Sequence, residues 1–387
     1  MNYIDAMDFL EETKKYGSQL GLTSIQNLMA ELGNIQDEIP LVHIGGTNGK
    51  GSVGAMLSQV LTEAGYRVGR FCTPDVFVYE DEFQMNGINI EKGRLAQLFT
   101  RVKAACEKLV AQGKAHPTRF EVETAAAFLW FYEEKCDIAL LEVGMGGDLD
   151  ATNIIKNTVL AVLVPISMDH QAFLGNTLAE IAQKKAGIIK PGCSVVTVGQ
   201  QPETMEVIRN VCQEKGADLT ETDLNSIKAL KEDFAGQILE YREETYKISL
   251  AGSYQTENAA LALDALEVLN HKGYPTTVEQ RKKGLEETKW NGRLTIIHRD
   301  PLFIVDGAHN PAAADMLEAS VSRYFKDRTM YFIMGVFKDK DYSYIVRKLC
   351  PYAKKIFTIE TPDNPRALPA EELAEAIRPC NPCVSAA

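Results

Sequence analysis

His43-Ile44-Gly45-Gly46-Thr47-Asn48-Gly49-Lys50-Gly51-Ser52 decides the reading of this chain. An apolar run, Ile39 to Ile44, precedes it, and an amphipathic one, Val53 to Ala64, follows. Strand, glycine turn, helix is the layout that cradles a nucleoside triphosphate. The glycines let backbone N–H groups turn toward phosphate oxygens, the helix N-terminus adds partial positive charge, and Lys50 adds a full one. A glycine turn without a ligand is the plain alternative; the strand–Lys–Ser–helix context makes it the lesser one. The stretch also departs from the general phosphate-loop pattern, Gly-x-x-x-x-Gly-Lys-Ser/Thr. Position 44 is Ile, and Gly51 separates Lys50 from the Ser52 hydroxyl.

Apolar strand-like runs alternate with helical patterns on either side of this turn. Expected strands are Ile39–Ile44, Arg67–Phe71, Asp137–Val143, Val159–Ile166 and Ser194–Val198. Expected helices are Val53–Ala64, Leu95–Gln112, Glu123–Lys135, Leu178–Lys185 and Glu203–Lys215. Runs such as Ile138-Ala139-Leu140-Leu141 are continuously apolar, as strands covered on both faces should be. The pattern predicts an α/β protein with a doubly wound parallel sheet. A hairpin over Gln237–Leu250 and a helix over Gln255–Asn270 follow, and a second βα series starts at Leu302. It runs through Pro311–Phe325, Thr329–Met334, Tyr342–Leu349, Lys355–Ile359 and Pro369–Ile377. The boundary is expected between Arg293 and Pro301, giving domains 1–293 and 294–387.

The 387 residues suit two or three domains. A balance of 41 basic and 53 acidic residues, net −12, argues against broad nucleic-acid or anionic-membrane binding. It leaves room for an anionic substrate in a locally basic cleft. No apolar run approaches about 18 residues, so no membrane helix is expected. The first fifteen residues lack a signal-peptide pattern. Eight scattered cysteines read as free thiols of a cytoplasmic protein, and the Cys380/Cys383 pair as incidental.

Four further segments carry chemistry. Glu142 closes a buried strand beside the turn Gly144-Met145-Gly146-Gly147. A carboxylate there can hold Mg²⁺ next to the phosphate loop, or cap the turn. Asp169-His170 ends the next strand; imidazole is an uncommon Mg²⁺ ligand, so the residues alone favour Asp169. Lys184, Lys185 and Lys190 could bind phosphate or carboxylate, against the default of a solvated helix end. Trp290-Asn291-Gly292-Arg293 and then Asp306-Gly307-Ala308-His309-Asn310-Pro311 place polar groups after a strand and before a proline-initiated helix. A helix cap at Asn310 and a surface Arg293 are the plain readings.

All five segments, in this order, resemble the folylpolyglutamate synthase/dihydrofolate synthase family of Mur-type ligases. The likeness runs from Tyr16-Gly17-Ser18-x-x-Gly21-Leu22 to Asp339-Lys340-Asp341 and Pro365-Arg366-Ala367. It implies a Mur-ligase-like ATP-binding domain, a smaller Rossmann-like C-terminal domain, and an active site between them. By position, Thr47, Asn48, Gly49, Lys50, Gly51 and Ser52 match the phosphate loop, and Thr73 falls where the family has a metal-binding serine. Glu142 and His170 match further Mg²⁺ ligands, which turns the Asp169/His170 choice toward His170. Lys185 matches a lysine that the family carbamylates, implying a second Mg²⁺ site. Asn258, Arg293, Asp306 and His309 match the nucleotide side, and Phe120, Glu121 and Asp150 the pterin side. Lys50, Lys185, His170 and Arg293 are the implied catalytic set.

The implied reaction is ATP-dependent addition of L-glutamate to the carboxylate of tetrahydrofolate, and by extension to dihydropteroate, through an acyl phosphate. Its partners are small molecules only, and a monomer is expected. The sequence departs on the substrate side, with Thr73-Pro74-Asp75-Val76 for Ser-Pro-His-Leu, Asp81-Glu82-Phe83 for Glu-Arg-Ile, and Asp148 for an arginine. The family commonly continues into a final strand segment, so a shortened C-terminal domain is expected. Another Mur-type amino-acid ligase is the nearest rival. A non-catalytic nucleotide-binding paralogue is the rival of a different class, although no Asn/Thr-Lys-x-Asp base-reading element is present.

Overall fold

The computed structural model describes residues 1–17, 21–362 and 364–387. Ser18 of the Tyr16–Leu22 motif lies outside them. The main sheet has eight strands: β1 (Leu41–Gly45), β2 (Val68–Phe71), β3 (Phe83–Met85), β4 (Ile88–Asn89), β5 (Ile138–Glu142), β6 (Thr158–Leu163), β7 (Ser194–Val198) and β8 (Asp218–Thr222). Their order is β4-β3-β2-β5-β1-β6-β7-β8. Strands β2, β5, β1, β6, β7 and β8 run parallel, as the continuous apolar runs require. The antiparallel edge β3–β4 was not legible, because strands of three and two residues carry no periodicity.

Helices cover both faces. Lys92–Ala111 and Arg119–Glu133 pack on one side with Phe71, Phe99, Phe128 and Leu141. Lys50–Glu63 and Gln255–His271 pack on the other with Val42, Leu57, Leu140 and Leu261. Two helices ahead of the sheet, Tyr3–Glu12 and Thr23–Glu31, extend the first layer. The register sets Ile44 beside Glu142 and Gly45 beside Leu163. The phosphate loop and the last residues of β5 and β6 therefore emerge at one sheet edge, where ligands of open α/β sheets collect.

Beyond the sheet, β9 (Lys228–Asp233), β10 (Gly236–Tyr241) and β11 (Glu244–Ile248) form an antiparallel meander. It holds one strand more than the expected hairpin. The helix Val278–Glu287, capped by Thr277, was also not expected. The C-terminal part holds an antiparallel pair, β12 (Thr295–Arg299) with β13 (Leu302–Val305). It also holds a three-stranded parallel sheet of β14 (Met330–Met334), β15 (Ala353–Thr358) and β16 (Val384–Ala386). The Arg293–Pro301 segment, where the boundary is expected, is mostly the strand β12.

Candidate active site

Gly49 takes φ +107° as N-cap of the helix Lys50–Glu63, a backbone region in which side chains are strained. A Cβ on it would also meet Asn258 Oδ1 at 2.6 Å. The loop is tied to the end of β6: Thr47 N–H donates to Pro165 O (2.9 Å), and Thr47 Oγ1 accepts the Ser167 N–H (3.0 Å). Lys50 Nζ donates to Thr47 O (3.1 Å) and stands 3.8 Å from Glu142 Oε1. Ser52 Oγ accepts from Gln255 Nε2 (3.2 Å), and Asn258 Nδ2 donates to Gln255 Oε1 (2.9 Å). The helix Gln255–His271 thus holds the loop from behind; Gln255 was not singled out from sequence.

Asn48, Gly49, Ser52 and Asn258 form one wall of a cleft of ≈ 580 Å³. Arg293, Asp306, Gly307, Ala308 and His309 form the other. Seven residues assigned to the nucleotide side therefore face a single space between the two parts of the chain. Asp306 is partly engaged, accepting the N–H groups of Leu294 and Ala308 (2.9 Å each). His309 Nδ1 lies 2.8 Å from Gly307 O, which can only accept, so this nitrogen carries the proton.

Asp169 is not free to act as a ligand. It accepts from Lys340 Nζ (2.7 Å) and Asn310 Nδ2 (3.1 Å), and both ends of the Lys340 pair are buried. Despite burial, these partners and the neighbouring His170 hold its carboxyl down at about 2. Asn310 caps the helix Pro311–Tyr324 and also exchanges two amide hydrogen bonds with Asn48 (3.1 Å each). One residue thus caps a helix and joins the phosphate loop. Asp169, Asn310, Asn48 and Lys340 together tie the phosphate loop and the end of β6 to the C-terminal part beside the cleft.

Glu142 is half-buried at the end of β5, and desolvation raises its pKa against the pull of Lys50, Arg293 and Arg70. His170 takes a left-handed backbone, φ +50°. Burial drives its imidazole down to about 4, so it is neutral with a lone pair available. Lys185 is 4% exposed and donates to Gly46 O (2.8 Å). Burial first, and then Lys50, bring it down to about 7. Among the described residues no three His, Cys, Asp or Glu side chains gather as a metal group. A metal held at this sheet edge would have to draw on the mixed donor set expected from sequence: the Glu142 carboxylate, the His170 imidazole and the half-buried Thr73 hydroxyl. Two oxygens and one neutral nitrogen suit a divalent cation that keeps water and phosphate oxygens as its other ligands.

The three residues expected on the pterin side divide. Phe120 is half-buried, stacks on Phe71 (6.1 Å) and faces the Gly144 turn. Glu121 is buried in the capping box of the helix Arg119–Glu133, accepting from Thr118 N–H (2.7 Å) and Ser24 Oγ (3.1 Å). Asp150 is buried too, and accepts from Met145 N–H (2.9 Å), Thr152 N–H (3.0 Å) and Thr152 Oγ1 (2.5 Å). The Thr152 hydroxyl proton is spent on Asp150, so His43 Nε2, 2.8 Å away, must donate to it. This chain from β1 braces the turn that follows Glu142.

Residues 44–266 match the Mur ligase middle domain model, and residues 292–386 the Mur ligase glutamate ligase domain model. The chain is 35% identical over 382 residues to the dihydrofolate synthase/folylpolyglutamate synthase of Bacillus subtilis, covering 97% of this chain and 88% of that one. The folylpolyglutamate synthase of Mycobacterium tuberculosis complexed with ADP superposes with TM-score 0.90 at 30% identity, covering 100% and 89%. A folylpolyglutamate synthase complex with AMPPCP and folate superposes with TM-score 0.86 at 29% identity, covering 100% and 96%.

Proposed function

Because the chain belongs to the folylpolyglutamate synthase/dihydrofolate synthase family of Mur ligases, we propose that it is an ATP-dependent ligase joining L-glutamate to a folate carboxylate. One observation carries this reading above all: a single cleft with Asn48, Gly49 and Ser52 on one wall and Arg293, Asp306 and His309 on the other. A triphosphate laid along it would place its γ-phosphate near Lys50 and Glu142, at the end of β5.

The folate carboxylate attacks the γ-phosphorus; a C–O–P bond forms, the bond to the β-phosphate oxygen breaks, and ADP leaves. The glutamate amine then attacks the acyl carbon, loses a proton, and expels inorganic phosphate as the amide forms. Lys50 and Arg293 supply fixed positive charge where charge shifts during phosphoryl transfer. Thr73, Glu142 and His170 would hold Mg²⁺, which supplies further charge neutralisation at the phosphates. Lys185, partly neutral near pH 7, can take up CO₂ as a carbamate and so offer oxygens to a second Mg²⁺. The Asp169–Lys340 pair holds the C-terminal part against the end of β6, and closing the two parts over the substrates would keep bulk water from the acyl phosphate, which water would otherwise hydrolyse. Tetrahydrofolate is the acceptor assigned here. The eight free cysteines support a cytoplasmic setting.

The test is phosphate release from ATP with glutamate, offering tetrahydrofolate and dihydropteroate in parallel. Release should require both glutamate and a folate acceptor. Release that needs neither would overturn the ligase reading. Activity with dihydropteroate as well would make the enzyme bifunctional.

A further inference from the structure

Arg70 is a buried cation that the reaction above does not use. It lies on β2, three residues before Thr73, and is 5% exposed. Among the described residues its Nε has no hydrogen-bond partner. Its charge faces Glu142 in a cavity of ≈ 180 Å³ that Lys50, Gly51, Gly54 and Cys72 also line. A guanidinium taken out of water at such a place costs stability, and an apolar side chain of similar length would fill a core position better.

What Arg70 touches is Trp290. The guanidinium carbon lies 4.4 Å from the centre of the indole ring. The same indole lies against Gly51, where a Cβ would meet it at 2.4 Å, so only glycine lets the ring come this close to the phosphate-loop helix. Trp290 Nε1 is likewise unpartnered, so stacking and packing alone set the ring's position. Trp290 opens the segment Trp290-Asn291-Gly292-Arg293-Leu294, which turns sharply through left-handed backbone at Gly292 (φ +76°) and Leu294 (φ +45°). Its far end is fixed: Leu294 N–H donates to Asp306, and Gly307 N–H donates to Gly292 O (3.0 Å). Its near end packs on the phosphate-loop helix through Trp290, while the Thr288 carbonyl two residues earlier accepts from Ser249 Oγ. Arg293 sits between the two anchors and reaches the nucleotide cleft.

We propose that Arg70 is a positioning residue, whose stack on Trp290 clamps this segment to the phosphate-loop helix and so sets where Arg293 meets the nucleotide. The inference rests on the nucleotide-binding reading of the cleft, and extends it to a side chain that touches no substrate.

The experiment is calorimetric binding of Mg²⁺–AMPPCP to the full chain, with the thermal unfolding midpoint measured on the same samples. Arg70→Met should weaken binding about fivefold or more, the effect a desolvated cation–π contact carries. Its unfolding midpoint should be unchanged or higher. Arg70→Lys, which keeps a cation over the ring, should recover most of the affinity. In a Trp290→Leu background, Arg70→Met should have little further effect on binding. Wild-type affinity in Arg70→Met would overturn the proposal, as would a parallel loss of affinity and midpoint, which marks a merely structural role. Equal failure of Lys and Met would overturn the stacking basis. Because the readout is binding, a chain that bound AMPPCP in this pattern but ligated nothing would sink the ligase reading and leave the clamp standing.

Discussion

Replacing Lys185 by Met should make the metal-free protein more stable and the enzyme inactive, and the two effects have one cause. The side chain is 4% exposed and makes one hydrogen bond, to Gly46 O at 2.8 Å. Burial and Lys50 bring its ammonium down to about 7, against 10.5 for a free lysine. Between those values the unfolded chain binds more protons than the folded one, so stability rises with pH across that window. Below about 7 the penalty is present in full; above 10.5 it is gone. At about 1.4 kcal/mol per pH unit, the gap corresponds to roughly 5 kcal/mol at most. The lost hydrogen bond to Gly46 offsets about 1 kcal/mol of this.

Lys185→Met should therefore be more stable than the parent by roughly 2–4 kcal/mol at pH 6.5, and the difference should shrink toward pH 10. The assay is urea unfolding of both proteins in CO₂-free buffer with a chelator, at several pH values. Ligation by the variant should fall at least a hundredfold at every pH, since the proposed carbamate cannot form. A variant less stable than the parent at pH 6.5, or a gap that does not close with pH, would refute the burial argument. Parental turnover in the variant would refute the catalytic one.

Two further outcomes follow from the same geometry. Glu142→Gln removes the anionic oxygen donor, so the Mg²⁺ concentration for half-maximal ATP turnover should rise by about tenfold or more, the scale on which a carboxylate ligand matters; an unchanged titration would remove Glu142 from the site. Asp169→Asn leaves the Lys340 ammonium buried without its partner, which should cost roughly 3–5 kcal/mol of stability and raise the KM for ATP. Adding Lys340→Met to Asp169→Asn should restore part of that stability, and a double variant no better than the single one would show that the pair does not act as a unit.

Some of the site could be read from single segments. Glu142 stands out because a carboxylate closes an otherwise apolar strand, and Lys50 because it opens a helix after a glycine turn. The partners of these residues could not be read in that way. Lys340 is 171 residues from Asp169, and Asn310 is 262 from Asn48, so no local pattern links either pair. On chemistry alone Asp169 is the better metal ligand than His170, and only the fold shows its carboxylate already satisfied by Lys340 and Asn310. Glu121 read as a substrate residue, yet its position three after Thr118 is also the spacing of a capping box, and the carboxylate serves that cap. Arg70 passed as an ordinary strand residue because its partner, Trp290, comes from the segment between the two parts of the chain.

The proposed reaction begins with a folate carboxylate attacking ATP to form an acyl phosphate. The measurement that bears on it most directly uses tetrahydrofolate labelled with ¹⁸O in its terminal carboxylate, with ATP and glutamate. Mass analysis of the released phosphate then reads where the label goes. One ¹⁸O atom should appear in each phosphate for every amide formed. Phosphate without label, at undiminished ligation, would contradict the acyl phosphate and the mechanism built on it.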